Sequence, residues 1–400
     1  MVEKTSHGVE DRSSSFLLLM LAVAVSNVLG RGSYLLLAVG AAYFLLHYYS
    51  MKVPDAVVPL LVFSCIYCLF SITSQGIVNA AQIFICPLLW LVGYNLPEAK
   101  RISGVFTLVA VLAAGQTAHG LLNYGYNILE NVSMGSATKL DIWTGEIQAA
   151  TGQAAQFTMF LASFFWLTAV QERRWLRVGA VAVFLCTLLY AVQLGSRSFL
   201  VLAVLSAGTG ILLSWLRRNP LGMKLLLWML LGAAVILVLY SRNIWGLRTY
   251  MEGSFLYRRN SLGQNFSAML TDGRFHLKKV YLENLLRYPW GGNVIRERIA
   301  GGYAHDLWLD TFGEAGLPAL AVLLVYTAAA FFRIVRAGKL CTVSSNEQTA
   351  LMCYGVVIFA QFCAEPIWQG CPMLLYSFVL TDGMLVRLIS VSSAGAQKPA

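Results

Sequence analysis

The sequence predicts an all-α, polytopic integral membrane protein of about 12 transmembrane helices, with one large extracytoplasmic loop between spans 9 and 10. Three observations predict it. The 400 residues are 58% hydrophobic and only 12% charged, whereas soluble domains carry about 25% charged residues. Apolar runs of about 18–20 residues recur along the chain, the length needed to cross about 30 Å of hydrocarbon. Residues 241–305 form the only long polar stretch, with ten of the 29 Lys and Arg residues and just four acids, Glu252, Asp272, Glu283 and Glu297. Strands could span only as a closed barrel, and the apolar runs lack a barrel's alternation.

Residues 1–14 read as an N-terminal tail. The run at 15–30 reads as a retained first span, because Ser26-Asn27-Val28-Leu29 lacks a small-residue cleavage pattern. Further spans follow at 33–50, 54–73, 77–96 and 102–122. A polar Gly/Ser/Thr-containing loop occupies 123–152, and spans continue at 153–171, 175–194, 198–216 and 222–240. The nine spans of 15–240 are thus followed by the 241–305 loop. Within that loop Leu277, Val280, Tyr281, Leu285 and Tyr288 recur at helical spacing with Lys278, Lys279 and Arg287 between them. This is an interfacial amphipathic helix, either capping the bundle or facing substrate, and Pro289 and Gly291-Gly292 end it. The last three spans, 306–332, 348–367 and 370–389, lie within 306–390, and 391–400 is a C-terminal tail. The eight cysteines avoid 241–305, and Cys65-x-x-Cys68, inside an apolar run, reads as packing rather than a redox or metal pair.

Charge sets the orientation. With the N-terminus in the cytoplasm, inner segments carry sixteen Lys and Arg residues and the short outer loops only Arg31, Lys139 and Arg197. The positive-inside rule therefore predicts both termini in the cytoplasm and 241–305 outside. The net charge of +10 is then mostly topology and no signal for nucleic acid. A cationic outer loop points instead to an anionic ligand, at a bilayer first of all a phosphate or pyrophosphate.

Arg197 lies in Gly195-Ser196-Arg197-Ser198, a turn between two apolar runs. It either snorkels to headgroups or offers its planar fork of donors to phosphate oxygens. Arg274, in Thr271-Asp272-Gly273-Arg274 just before the amphipathic helix, is either a solvated loop residue, paired with Asp272, or a second phosphate contact. His305 follows Gly301-Gly302 and precedes a helix start, where a neutral imidazole can serve as general base. His276, close to Arg274, is its rival, while His47 and His119 read as structural or interfacial. Asp306, Asp310 and Glu314, at i, i+4 and i+8, share a helix face and read as capping residues that also pair with loop arginines. A metal site there lacks the ligand cluster it needs, so metal is expected to be dispensable. Glu365, near Trp368 and Gln369, is either an aromatic-belt neighbour or a substrate contact.

Taken together, the topology, the arginine between spans 7 and 8, the Asp-Gly-Arg turn, Arg-Tyr-Pro-Trp-Gly-Gly, and His305-Asp306 followed after nine residues by Gly316 resemble the O-antigen ligase and O-antigen polymerase superfamily. Arg197 and Gly208 also fit the Arg, ten residues, Gly spacing of its polymerases. Asp306 stands where the family usually has Asn or Ser, and Ala319 where Gly is common. The resemblance implies a bacterial inner-membrane glycosyltransferase. Such enzymes move a glycan from a polyprenyl-pyrophosphate carrier to an acceptor glycan or glycolipid hydroxyl at the outer face of the cytoplasmic membrane. It implies Arg197 and Arg274 at the pyrophosphate and His305 as catalytic residue, without metal or cofactor. Ligase and polymerase remain equally open. The alternative class is a transporter or flippase of lipid-linked oligosaccharide, which calls for mid-membrane charges and inverted repeats; the apolar runs read as nearly free of charge.

Overall fold

The computed structural model describes residues 15–132, 138–219, 234–253 and 273–396, with the single positions 224 and 227. Residues 1–14, most of the predicted ninth span, Asp272 and 397–400 lie outside these. Of the described residues, 81% are helical. Its helices are α1 (Ser15–Val25), α2 (Gly32–His47), α3 (Asp55–Gln75), α4 (Ile77–Asn95) and α5 (Ile102–Leu129). After a hairpin come α6 (Ala150–Val170), α7 (Arg174–Gln193), α8 (Arg197–Leu216), α9 (234–241) and α10 (Leu247–Gly253). The chain ends with α11 (Gly273–Glu283), α12 (Leu307–Gly338), α13 (Ser345–Phe362) and α14 (Pro372–Ala396). Eight of them, α3–α8, α12 and α14, are long and apolar enough to cross a membrane. This is an all-α membrane protein; α2, with 16 residues, and α13, with 18, are further helices on predicted spans.

Helix ends follow local chemistry. Ser196 starts α8 by accepting the Phe199 N–H at 3.2 Å. Ser344 and Glu347 close a reciprocal capping box at the start of α13. Outward-facing side chains such as Leu45, Leu46 and Val204 are exposed and apolar, as lipid contact requires.

Inside, helices approach closely where side chains are absent. A Cβ on Gly93 of α4 would sit 2.0 Å from the Leu380 carbonyl oxygen of α14, and one on Gly383 would sit 2.1 Å from the Trp90 oxygen. Such reciprocal small-residue contact is how helices associate without a hydrophobic driving force. Beside it lies a charge pair that the apolar reading of these spans overlooked. Asp382 of α14 is 2% exposed and receives Arg333 through Nε and Nη2, each at 2.7 Å, with Trp90 Nε1 at 2.7 Å and the Tyr326 hydroxyl at 3.1 Å.

The predicted loop at 123–152 is shorter than expected, because α5 continues to Leu129 and turns its polar residues inward. The loop contains an antiparallel hairpin, β1 (Thr138–Leu140) and β2 (Ile147–Ala149), with Lys139 opposite Gln148. Fully buried Asp141 fixes it to the bundle through His119 Nε2 at 2.8 Å and the N–H groups of Trp143 and Thr144. Burial raises its pKa, and the His119 and backbone contacts more than offset this, leaving it below the ordinary range.

Helix α12 is broken. Gly316 has φ 78° and ψ −176°, and Pro318 follows. The segment Pro289–Asn293 runs along the break and satisfies its backbone. Gly292 N donates to Glu314 O at 3.0 Å, Asn293 N to Gly313 O at 2.8 Å, and Leu317 N to Pro289 O at 2.7 Å. The Pro-Trp-Gly-Gly motif and Gly316, 24 positions or more apart in sequence, are thus two halves of one interlock. The predicted amphipathic helix is α11. Its Tyr281 is buried, and Val280, with Leu285 and Tyr288 just beyond it, packs with Tyr281 against Phe312 and Leu320 of α12.

The α3–α4 junction, the hairpin, the α7–α8 turn, α11, the start of α12 and the α13–α14 turn gather at one end of the bundle. Tyr67 reaches Glu314, Trp143 reaches Ser26, and Ser198 and Arg274 both reach Glu365. At the other end Lys52 meets Asn95 and Arg217 meets Ser345.

Candidate functional site

The centre of that first end is Glu365, in the turn between α13 and α14. Its side chain is 2% exposed. Arg274, in the first turn of α11, donates Nη1 to Glu365 Oε1 at 3.1 Å and Nη2 to Oε2 at 3.4 Å, and anchors on Ala364 O at 2.9 Å. The Ser198 hydroxyl donates to Glu365 Oε1 at 2.9 Å. His305 Nδ1 lies 3.7 Å from Glu365 Oε2, inside ion-pair range and beyond a hydrogen bond. Burial pushes the Glu365 pKa up, but His305, Arg274 and Ser198 together outweigh it and hold the carboxyl below the ordinary glutamate range. Glu365 is therefore a carboxylate at neutral pH.

His305 is placed by strained backbone. Its φ is 57°, uncommon for a residue with a Cβ. Asp310, 1% exposed, holds it there by accepting the Ala304 N–H at 2.7 Å and the Asp306 N–H at 3.2 Å, one on each side of the histidine. Asp306 caps α12, accepting from Trp308 N at 3.1 Å and Leu309 N at 3.2 Å, and its other oxygen meets Lys278 Nζ at 3.3 Å. Lys278, one turn after Arg274, also donates to Cys363 O.

Arg197 is the first residue of α8, next to the Ser198 that binds Glu365. Its Nη2 is shielded from solvent and has no hydrogen-bond partner among the described residues. The Nδ1 of His305 is shielded and unbonded in the same way.

Arg274 and His305 thus meet on one carboxylate, and Arg197 borders it through Ser198. The expected pairing of Asp306, Asp310 and Glu314 with loop arginines is corrected. Among the described residues Asp306 pairs with a lysine, Asp310 with backbone, and Glu314 with the Tyr67 hydroxyl and the Gln369 amide. For Asp306 and Asp310 the helix start brings unsatisfied N–H groups within reach, whereas Glu314, two turns in, is met by side chains of α3 and the α13–α14 turn. His276 is exposed and stands outside the Glu365 cluster. Sequence reasoning left Glu365 undecided and missed Ser198 and Lys278. The signal for Glu365 was an acid next to Pro and Trp at the end of an apolar run; the other two had none beyond lying near Arg197 and Arg274.

Among the described residues no group of three or more His, Cys, Asp or Glu is disposed to hold a metal ion. Chemically the cluster can hold an anion between guanidinium groups and offer an imidazole nitrogen, backed by a carboxylate, to a nearby hydroxyl. No protein-family model matches this chain, and no curated protein does either.

Proposed function

We propose that this chain is a membrane glycosyltransferase of the O-antigen ligase and polymerase type. In this reading it spans a bacterial inner membrane about twelve times, with both termini in the cytoplasm and the Glu365 cluster on the outer face. A polyprenyl pyrophosphate presents its glycan there, its tail lying between helices. The acceptor hydroxyl oxygen attacks the anomeric carbon, forming the new glycosidic C–O bond. The C–O bond to pyrophosphate breaks and its electron pair leaves on the phosphate. Arg197 and Arg274 stabilise that charge. His305 takes the hydroxyl proton on Nε2, while ionised Glu365 beside Nδ1 favours the tautomer that leaves Nε2 free to accept it.

The observation that carries the reading is the shielded Arg197 Nη2, without a partner among the described residues, beside a cluster that already contains Arg274 and His305. A shielded guanidinium nitrogen left unbonded is costly unless a ligand satisfies it. Purified chain with lipid-linked glycan and a glycan acceptor tests it. Replacing Arg197 or Arg274 by Ala should lower transfer about tenfold to a hundredfold, the worth of a charge-assisted contact of roughly 1.5–3 kcal/mol. Lys at either position should rescue only in part, lacking the planar fork. His305→Ala should cost about 10²–10⁴-fold with normal membrane insertion. Wild-type transfer by that variant would remove His305 from the reaction. Transfer should also persist in chelator; loss on chelation and recovery with Mg²⁺ would overturn the metal-independent mechanism.

A flippase of lipid-linked oligosaccharide is favoured by two observations, the break in α12 at Gly316 and the buried Arg333–Asp382 pair. Broken helices and intramembrane charges mark transport sites. Asp382, however, already has four hydrogen bonds from protein groups, so it offers a substrate little. Movement of labelled lipid-linked glycan across proteoliposomes without any acceptor would favour this second reading.

A further inference from the structure

The turn that carries Glu365 also helps to enclose a separate polar cavity of ≈ 410 Å³, within the size range of ligand sites. Its rim includes exposed Asn79 and Gln369, so it opens to the outside of the bundle. Glu314, 2% exposed, lines its floor and accepts from the Tyr67 hydroxyl and the Gln369 amide. Gln75 Nε2 donates to the Tyr67 hydroxyl at 3.2 Å, extending the network. Asn293 is 1% exposed, lines the same cavity, and its Nδ2 has no partner among the described residues. The interlock with the α12 break puts it there: its N–H is tied to Gly313 O and its φ is 61°. On the walls the Trp368 ring lies 5.1 Å from that of Tyr67, and Arg296 donates to the Tyr303 hydroxyl at 2.9 Å.

This set of groups discriminates among ligands. A phosphate would meet the buried Glu314. A cation would find that carboxylate already bonded through both oxygens, with Arg296 on the cavity wall. A polyol needs many donors and acceptors held in fixed planes, which amides, carboxylate and guanidinium provide. Its C–H face suits an aromatic ring. We propose that the cavity is a carbohydrate-binding site, in which Glu314, Asn293 and Gln369 bond sugar hydroxyls and Trp368 packs against the ring's apolar face. Its place in the transfer reaction, holding either the transferred or the accepting glycan, rests on the proposed function; its chemistry does not.

Saturation-transfer NMR on the full chain in detergent tests it, with maltotriose, chitotriose and lactose as probes and choline and inorganic phosphate as counter-probes. At least one saccharide should bind, and Glu314→Gln, Asn293→Gly and Gln369→Ala should each weaken it about tenfold, the loss of one good hydrogen bond. Glycine at 293 keeps the left-handed backbone and Gln369 is exposed, so these two variants retain the fold. In the transfer assay a raised KM for acceptor alone assigns the cavity to the acceptor, and a raised KM for lipid-linked donor alone assigns it to the donor. No saccharide binding, or choline or phosphate bound in the cavity instead, overturns the inference. Arg274→Ala separates the two readings, since it should lower transfer and keep saccharide binding. Cavity variants with unchanged binding and unchanged KM sink the cavity and leave the transferase standing. Saccharide binding that depends on these residues, without any transfer, does the reverse.

Discussion

Glu365 occupies the position where Arg274, His305 and the Ser198 hydroxyl converge, and its ionisation ties them together. Its pKa is depressed, so the sign is that of a carboxylate stabilised in the folded state. The contribution is complete above the ordinary glutamate value of 4.5 and is lost as pH falls through the lowered folded value. Thermal unfolding of purified wild type should therefore be flat from neutral pH to about 4.5 as far as this group is concerned, and fall below it. Glu365→Gln should lower the melting temperature at neutral pH and flatten that acid limb; an unchanged limb would mean that other carboxylates set it. Asp310 offers a second test. Asp310→Asn keeps one acceptor for the N–H groups flanking His305, and its expected cost is about 1–3 kcal/mol from the buried donor left unmet. Arg197, Arg274 and His305 were legible as residue types because cations and an imidazole stand out in an apolar chain. Their common partner was not, because an acid within a Pro-Trp turn carries no mark of the helix 167 positions earlier whose Ser198 it binds.

Among the elements, α12 shows what periodicity reads well and what it misses. The apolar pattern located the helix, yet the break at Gly316 leaves no trace in hydrophobicity. What signals it is Gly316-Leu317-Pro318 together with Pro289-Trp290-Gly291-Gly292, two motifs that look like ordinary turns until they are paired. At Gly316 the φ/ψ pair is one that residues with a Cβ essentially never adopt, and a Cβ there would sit 2.5 Å from Pro289 O. Gly316→Ala should cost about 1–3 kcal/mol from backbone strain alone, read as a lower melting temperature. It should also weaken saccharide binding, because Asn293 and Glu314 hang on the same interlock. The hairpin at 138–149 was illegible for a related reason. Its two strands are three residues each, and Asp141 and His119, rather than an alternating apolar pattern, hold it in place.

For the whole molecule, composition made the membrane class plain, because runs of apolar residues long enough to span have few other uses. It could not show the buried Arg333–Asp382 pair. Arg333 read as an inner-loop cation, since an arginine at the end of a span counts toward the positive-inside bias wherever its side chain points. Removing one partner of such a pair strands the other in the bundle: Asp382→Leu alone should cost about 3–5 kcal/mol, whereas Arg333→Met with Asp382→Leu should recover most of it. Melting temperatures in detergent together with transfer rates of the two variants would decide between a pair kept for packing and one kept for function, since only the second loses transfer at restored stability. The sidedness of the bundle is the largest remaining expectation. The chain puts the Glu365 cluster at one end and the Arg217–Ser345 contact at the other. Sixteen Lys and Arg on predicted inner segments against three on short outer loops predict that the cluster lies outside. An alkaline phosphatase fused at Gly263 should then be active and one at Asn346 inactive, with β-galactosidase fusions giving the opposite pattern. Cytoplasmic activity at Gly263 would place Arg274 and His305 on the face where no outer-leaflet acceptor can reach them, and the transferase reading would fall with the topology.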